Sequence, residues 1–173
     1  LVDGSIDLGI DDDSLMFIGG AGVTRAVDAG TGTDDLIFDG EGAVDVDLLA
    51  FETATKQGAG TFTLADLTTM HRITVHQGTL AINDGYGDGY RFADDGLFEI
   101  RINGDGTHGK LVFAGDTDLG GTLRVFRGPG VYINGITFDV LEAGNYMEGD
   151  RFSAELLPEP TALLSFGTNY LED

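Results

Sequence analysis

Cysteine is absent from this chain, so no disulfide framework is available and stability must come from packing and backbone pairing. Basic residues are scarce. Nine lysines and arginines stand against thirty aspartates and glutamates, the net charge is −21, and Arg25 is the only basic residue among the first 50. A surface this acidic, with no basic stripe, repels phosphate backbones and anionic lipid, which excludes nucleic acid and the membrane surface as partners. No run of about 18 apolar residues occurs, so nothing spans a membrane as a helix. No signal peptide opens the chain; Leu1-Val2-Asp3-Gly4-Ser5-Ile6-Asp7-Leu8 reads as a strand already under way, as in a piece excised from something longer. Three prolines against 28 glycines, with no sustained spacing of three and four, predict short strands joined by tight turns and very little helix.

What the chain does have is a period of two. Ile6-Asp7-Leu8-Gly9-Ile10, Val44-Asp45-Val46-Asp47-Leu48, Phe98-Glu99-Ile100-Arg101-Ile102 and Ile136-Thr137-Phe138-Asp139-Val140 alternate apolar with polar or small residues. Successive strand side chains point to opposite faces, so each segment buries one side and wets the other. A longer period lies over this one. Gly60-Thr61-Phe62-Thr63-Leu64, Gly78-Thr79-Leu80-Ala81-Ile82 and Gly96-Leu97-Phe98-Glu99-Ile100 follow one another at a constant interval, with variants at Gly109 and Gly121. A glycine turn followed by a strand at a near-fixed interval marks a solenoid. An interval of about 18 residues suits one coil of a β-helix better than a propeller blade of about 40. A β-sandwich is the competing architecture. The expected fold is all-β: a right-handed parallel β-helix with a hairpin-like C-terminal cap. Residues 1–116 would form the rungs, 117–157 the cap and 158–173 the start of a linker. In the cap, Leu123-Arg124-Val125-Phe126 and Val131-Tyr132-Ile133 flank the turn Gly128-Pro129-Gly130 and could plug the open end.

Several of these segments resemble a known family. Gly32-Thr33-Asp34-Asp35-Leu36-Ile37-Phe38, Phe51-Glu52, Lys56-Gln57-Gly58-Ala59-Gly60-Thr61-Phe62-Thr63-Leu64 and Val75-His76-Gln77-Gly78-Thr79-Leu80 look like passenger rungs of type V autotransporters. Gly121-Thr122-Leu123-Arg124-Val125, Tyr132 through Leu141 and Gly149-Asp150-Arg151-Phe152 are similar to that family's junction, or autochaperone, region. The resemblance covers roughly residues 30–157. It implies a passenger exported through the outer membrane of a Gram-negative bacterium to the cell surface, its partner being its own C-terminal outer-membrane β-barrel, which this chain lacks. In that family the C-terminal rungs emerge first, fold, and template the rest without ATP. At about 25 cal/mol per Å², roughly 100 Å² of apolar burial per rung would bias the chain outward by a few kcal/mol, less the chain entropy lost.

Clusters that could carry chemistry have plain structural explanations. Asp34 and Asp35 could be an acid/base pair of a polysaccharide-acting enzyme, but adjacent strand residues face opposite ways and no basic residue lies near them in sequence; a turn and a solvated face explain them. Asp45 and Asp47 share a face opposite inward valines. Ala29-Gly30-Thr31-Gly32-Thr33-Asp34-Asp35-Leu36 nearly fits a calcium-binding nonapeptide but its neighbours do not repeat it. Asp84, Asp88, Gly89 and Asp95 match four positions of an EF-hand loop, with Tyr86 where a ligand is required and no helices around it. Asp11-Asp12-Asp13 reads as a loop. His71, His76 and His108 lack ligand-spaced partners.

Accordingly no catalytic residue, metal or cofactor is expected, and the chain should be a monomer. The residues expected to matter are core and cap positions: Leu123, Val125, Tyr132, Ile136, Phe138, Val140 and Phe152. Phe138→Ala, on this view, costs about 3–5 kcal/mol. An alternative function on the same scaffold is an adhesin surface for a host surface or cytosolic protein, with Tyr86 and Tyr90 as the binding loop.

Overall fold

Alternating strands need neighbours for their backbone groups, and here each finds them in the coil before and the coil after. The computed structural model describes residues 1–65, 70–82, 90–91, 96–146, 151–161 and 165–170. Within them the chain is all-β, with no helix, and winds as a parallel β-helix. The largest wall is a seven-stranded sheet. In stacking order it holds β2 (Ser14–Ile18), β4 (Asp35–Asp39), β7 (Thr53–Gln57), β9 (Arg72–Val75), β12 (Leu97–Ile102), β14 (Thr122–Arg127) and β16 (Ala154–Leu156). A second wall stacks β5 (Gly42–Val44), β8 (Thr61–Leu64), β10 (Gly78–Ile82) and β13 (Gly109–Asp118), with β11 (Tyr90–Arg91) and β15 (Leu141–Tyr146) both on β13. A third, small wall joins β1 (Ile6–Asp7), β3 (Val27–Asp28) and β6 (Leu48–Leu49).

Parallel in-register stacking turns the period of two into columns. Leu15, Leu36, Ala54, Ile73, Phe98 and Leu123 lie in one register column of the seven-stranded sheet, and Phe17, Phe38, Lys56, Val75, Ile100 and Val125 in the next. The interior of the early coils is filled by phenylalanines from two walls: Phe38 and Phe62 have ring centroids 4.8 Å apart, Phe17 and Phe38 5.9 Å. Burying each such ring contributes about 1.5–3 kcal/mol. Some turns demand glycine. Gly30 sits at φ +93° against the Gly9 carbonyl of the previous coil, so any Cβ there would strike that oxygen.

Coil length is less regular than the sequence suggests. In the seven-stranded sheet the register passes from Ser14 to Asp35, Thr53 and Arg72 through coils of nearly equal length. The coils that carry it on to Leu97, Thr122 and Ala154 are all longer, and the last is the longest. The step from Gly60 to Gly78 is a true coil, because Thr61 pairs with Thr79. The step from Gly78 to Gly96 is not: β10 stacks under β13, whereas Leu97 after Gly96 belongs to the other wall. A repeat of glycine-led strands therefore mixes two walls.

The C-terminal segment around Gly128-Pro129-Gly130 differs in form from the hairpin expected there. β14 pairs in parallel with β12 and β16, and Val131-Tyr132-Ile133 is not a strand. The C-terminal third adds further strands by the same parallel rule, β15 on β13 and β16 on β14.

Candidate functional site

The seven residues singled out from the sequence converge on one place. Leu123, Val125, Tyr132, Ile136, Phe138, Val140 and Phe152 all line a cavity of about 750 Å³ at the C-terminal end of the solenoid. The last coils are longer, and the loop from residue 128 to 140 forms no strand; its backbone meets the coil before it at its ends, Gly128 donating to the Ile102 carbonyl, Pro129 accepting from Gly104 and Val140 accepting from Leu111. Leu123, Tyr132 and Phe152 are buried. Ile136, Phe138 and Val140 are only half-buried and line open space, although Val140 also packs against the edge of the core. At roughly 24 cal/mol per Å³, a dry hole of this size would cost more than the whole stability of an ordinary domain, about 5–15 kcal/mol. The cavity is therefore wet, consistent with the polar side chains of Asn134, Asp139, Thr168 and Asn169 along it.

Its walls are tied down by polar anchors. The Tyr132 hydroxyl donates to the Ile102 carbonyl at 2.5 Å, fastening this loop to β12. Arg127 lies over the Tyr132 ring at 4.8 Å and the Phe166 ring at 5.9 Å. Lys110 on β13 holds Asp139 at 2.6 Å and Glu142 at 2.7 Å, hydrogen bonds that raise its pKa. Across the mouth, Glu155 accepts from Thr168 and Tyr170, and Arg151 stacks on the Tyr170 ring at 5.0 Å. Burial first, and then that hydrogen bond, push the Tyr170 phenol up to about 12.

Elsewhere the expected placements divide. Asp34 is not on a solvated face. It is fully buried, its Oδ1 accepts from the Asp13 amide at 2.7 Å, and its own amide donates to the Glu52 carboxylate at 2.7 Å. Asp13, Asp34 and Glu52 occupy the same corner of three successive coils, each later carboxylate capping the amide of the coil before it. Asp35 points the other way and is exposed, as neighbours on a strand must. Asp45 and Asp47 are exposed while Val44 is buried. His71 is exposed, His76 is half-buried, and the His108 ring sits between the Gly106 and Asp139 carbonyls. Among the described residues, no three His, Asp or Glu side chains gather as metal ligands. Tyr86 lies outside the described residues, as do Asp84, Asp88, Gly89 and Asp95; Tyr90 opens β11.

The residue sequence reasoning missed is Lys56. It stands in an interior column between Phe38 and Val75, fully buried. Its ammonium reaches the turn instead of solvent, donating to the carbonyls of Gln57 at 2.9 Å, Gly58 at 2.7 Å and Gln77 at 3.4 Å. Burial lowers its pKa, against the pull of nearby Asp39. Local alternation gave no signal for it, because its partner Phe38 lies one coil away. Gly78 completes the corner, since a side chain there would run into the Gly60 carbonyl and crowd this ammonium.

The outward face of the seven-stranded sheet holds a second charged cluster. Glu99 accepts from Arg124 at 2.8 Å and lies 3.9 Å from Arg72, and Thr74 donates to it at 3.3 Å. One step along, Arg101 lies over the Phe126 ring at 5.2 Å and His76 meets the same ring edge-on at 5.8 Å. Burial, then the Arg101 guanidinium, lower the His76 pKa, with Glu99 opposing them. No family model, curated protein or solved structure matches this chain.

Proposed function

We propose that this chain is a structural stem of an autotransporter passenger, exported to the surface of a Gram-negative bacterium, whose C-terminal coils act as the folding nucleus and whose earlier coils carry effector or adhesin regions outward. The observation that supports it is the unbroken parallel register of the seven-stranded sheet, from Ser14 to Leu156. In such a stack each coil is completed by its neighbour, so folding propagates from one end by nearest-neighbour contacts. A chain threading outward C-terminal part first would then gain burial with every coil added.

Refolding kinetics test the nucleus. Leu123→Ala in β14 should slow refolding, whereas Phe17→Ala in β2 should mainly speed unfolding. The reverse pattern would place the nucleus at the other end and remove the vectorial mechanism. Fusion of the chain to an outer-membrane β-barrel through a helical linker tests export. Folded chain that never becomes accessible to external protease would sink that part.

A further inference from the structure

The outward face of the seven-stranded sheet is complementary to itself. Its register positions run Met16 and Ile18 on β2, Asp35 and Asp39 on β4, threonines on β7, Arg72 and His76 around β9, Glu99 and Arg101 on β12, Arg124 and Phe126 on β14, and Leu156 on β16. The two end strands carry exposed apolar side chains, at 43% for Met16, 64% for Ile18 and 47% for Leu156. Between them the charge changes sign, from aspartates at one end to arginines at the other. Three of the nine basic residues of a chain with net charge −21 stand on this face within three adjacent strands.

We infer that this face pairs with the same face of a second copy about a two-fold axis that runs along β9, parallel to the strands. That operation reverses the strand order. β2 then lies over β16 of the second copy, setting Met16 and Ile18 against Leu156. β4 lies over β14, setting Arg124 on the row of Ile37, flanked by Asp35 on one side and Asp39 on the other. β7, with its uncharged threonines, lies over Glu99 and Arg101. At the axis Arg72 meets its own copy, with Glu99 of each copy 3.9 Å away to offset the repulsion. The other in-plane axis, along the stack, would lay β4 on β4 and aspartate on aspartate, so charge selects the first arrangement. The contact is isologous and closed, which ends at a dimer rather than a fibre.

Its size sets its strength. Seven strands about 4.8 Å apart and some five residues long offer roughly 29 by 16 Å, or about 900 Å² buried over both copies. That lies below the roughly 1200 Å² at which stable complexes begin, so the dimer is weak and concentration-dependent. This inference concerns the isolated chain and does not rest on export.

Sedimentation velocity at about 0.15 M salt, where screening over roughly 8 Å confines the net-charge repulsion, is the test. The parent should pass from monomer to dimer between about 5 and 500 µM. Arg124→Asp should weaken the dimer by about tenfold or more, and Asp35→Arg likewise; the two together, which restore opposite charges across the axis, should bring it back to within about threefold. Leu156→Glu, on an exposed position, should weaken it without touching any charge pair, and far-UV circular dichroism of each variant reports folding. A parent monomeric throughout, a dimer indifferent to Arg124→Asp and Leu156→Glu, or a charge swap that does not restore association would each overturn the inference.

Discussion

The early coils and the last coils follow one rule with different results. From β2 to β9 the coils are short, and their interior is filled: Phe38, Phe62, Leu36 and Ile73 are fully buried. From β12 onward each coil is longer, and part of the additional chain, residues 128 to 140, forms no strand. The result is the 750 Å³ cavity behind Tyr132, where Ile136, Phe138 and Val140 are half-buried. Parallel pairing alone keeps a solenoid continuous. Packing depends on whether the chain between strands is short enough to bring side chains to the axis.

The largest effect should come from testing that difference directly. Phe38→Ala removes a ring in contact with Phe17 and Phe62 and leaves a hole that stacked coils cannot collapse into, costing about 3–5 kcal/mol. Phe138→Ala removes a half-buried ring beside water, touching the His108 and Tyr132 rings at 5.5 and 6.4 Å, and should cost only about 1 kcal/mol. This replaces the larger cost that the sequence suggested for Phe138. Equal denaturation midpoints for the two variants would mean that the cavity is closed in solution.

A second, smaller effect concerns the buried ammonium inside the filled region. Lys56→Met keeps the length and slimness that the column requires but leaves the carbonyls of Gln57, Gly58 and Gln77 without their common donor. Gln57 keeps the Gly40 amide as a donor and Gln77 is exposed, so the loss falls mainly on the half-buried Gly58 carbonyl and should be about 1 kcal/mol. A methionine variant as stable as the parent would show that desolvating the ammonium cancels those hydrogen bonds.

How far these features could be read in the sequence depends on what alternation encodes. It encodes sidedness, and Phe98-Glu99-Ile100-Arg101-Ile102 shows it plainly: its apolar residues are buried and its polar ones half-exposed on β12. It does not encode pairing. Ile136-Thr137-Phe138-Asp139-Val140 alternates equally well but forms no strand, because parallel pairing with β13 begins only at Leu141 opposite Leu111. Val44-Asp45-Val46-Asp47-Leu48 wraps a corner, leaving one wall at β5 and entering another at β6. Residue type misled at Lys56 and Asp34, each polar and each buried, because what fixes them is the coil above and below: Phe38 and Val75 for the lysine, Asp13 and Glu52 for the aspartate. Such partners lie a whole coil away, beyond the window in which alternation is read.

The smallest effect sharpens the comparison on the outer face, where the longer coils begin. His76 packs edge-on against Phe126, and burial together with Arg101 lowers its pKa. A base whose pKa is lower in the folded chain than in the unfolded one binds fewer protons when folded, so stability rises with pH across the window from the lowered value up to about 6.5. The same contribution is lost as pH falls through that window, before most carboxylates titrate. His76→Gln removes the titration while keeping a polar side chain against the ring, so its denaturation midpoint should fall less steeply than the parent's between about pH 7 and pH 5.5. The early coils, whose outward rows hold Thr53 and Thr55 instead, would contribute no such slope. Parallel pH curves for parent and variant would mean that His76 is as well hydrated as a histidine in the unfolded chain, and that the Arg101–Phe126 cluster does not close over it.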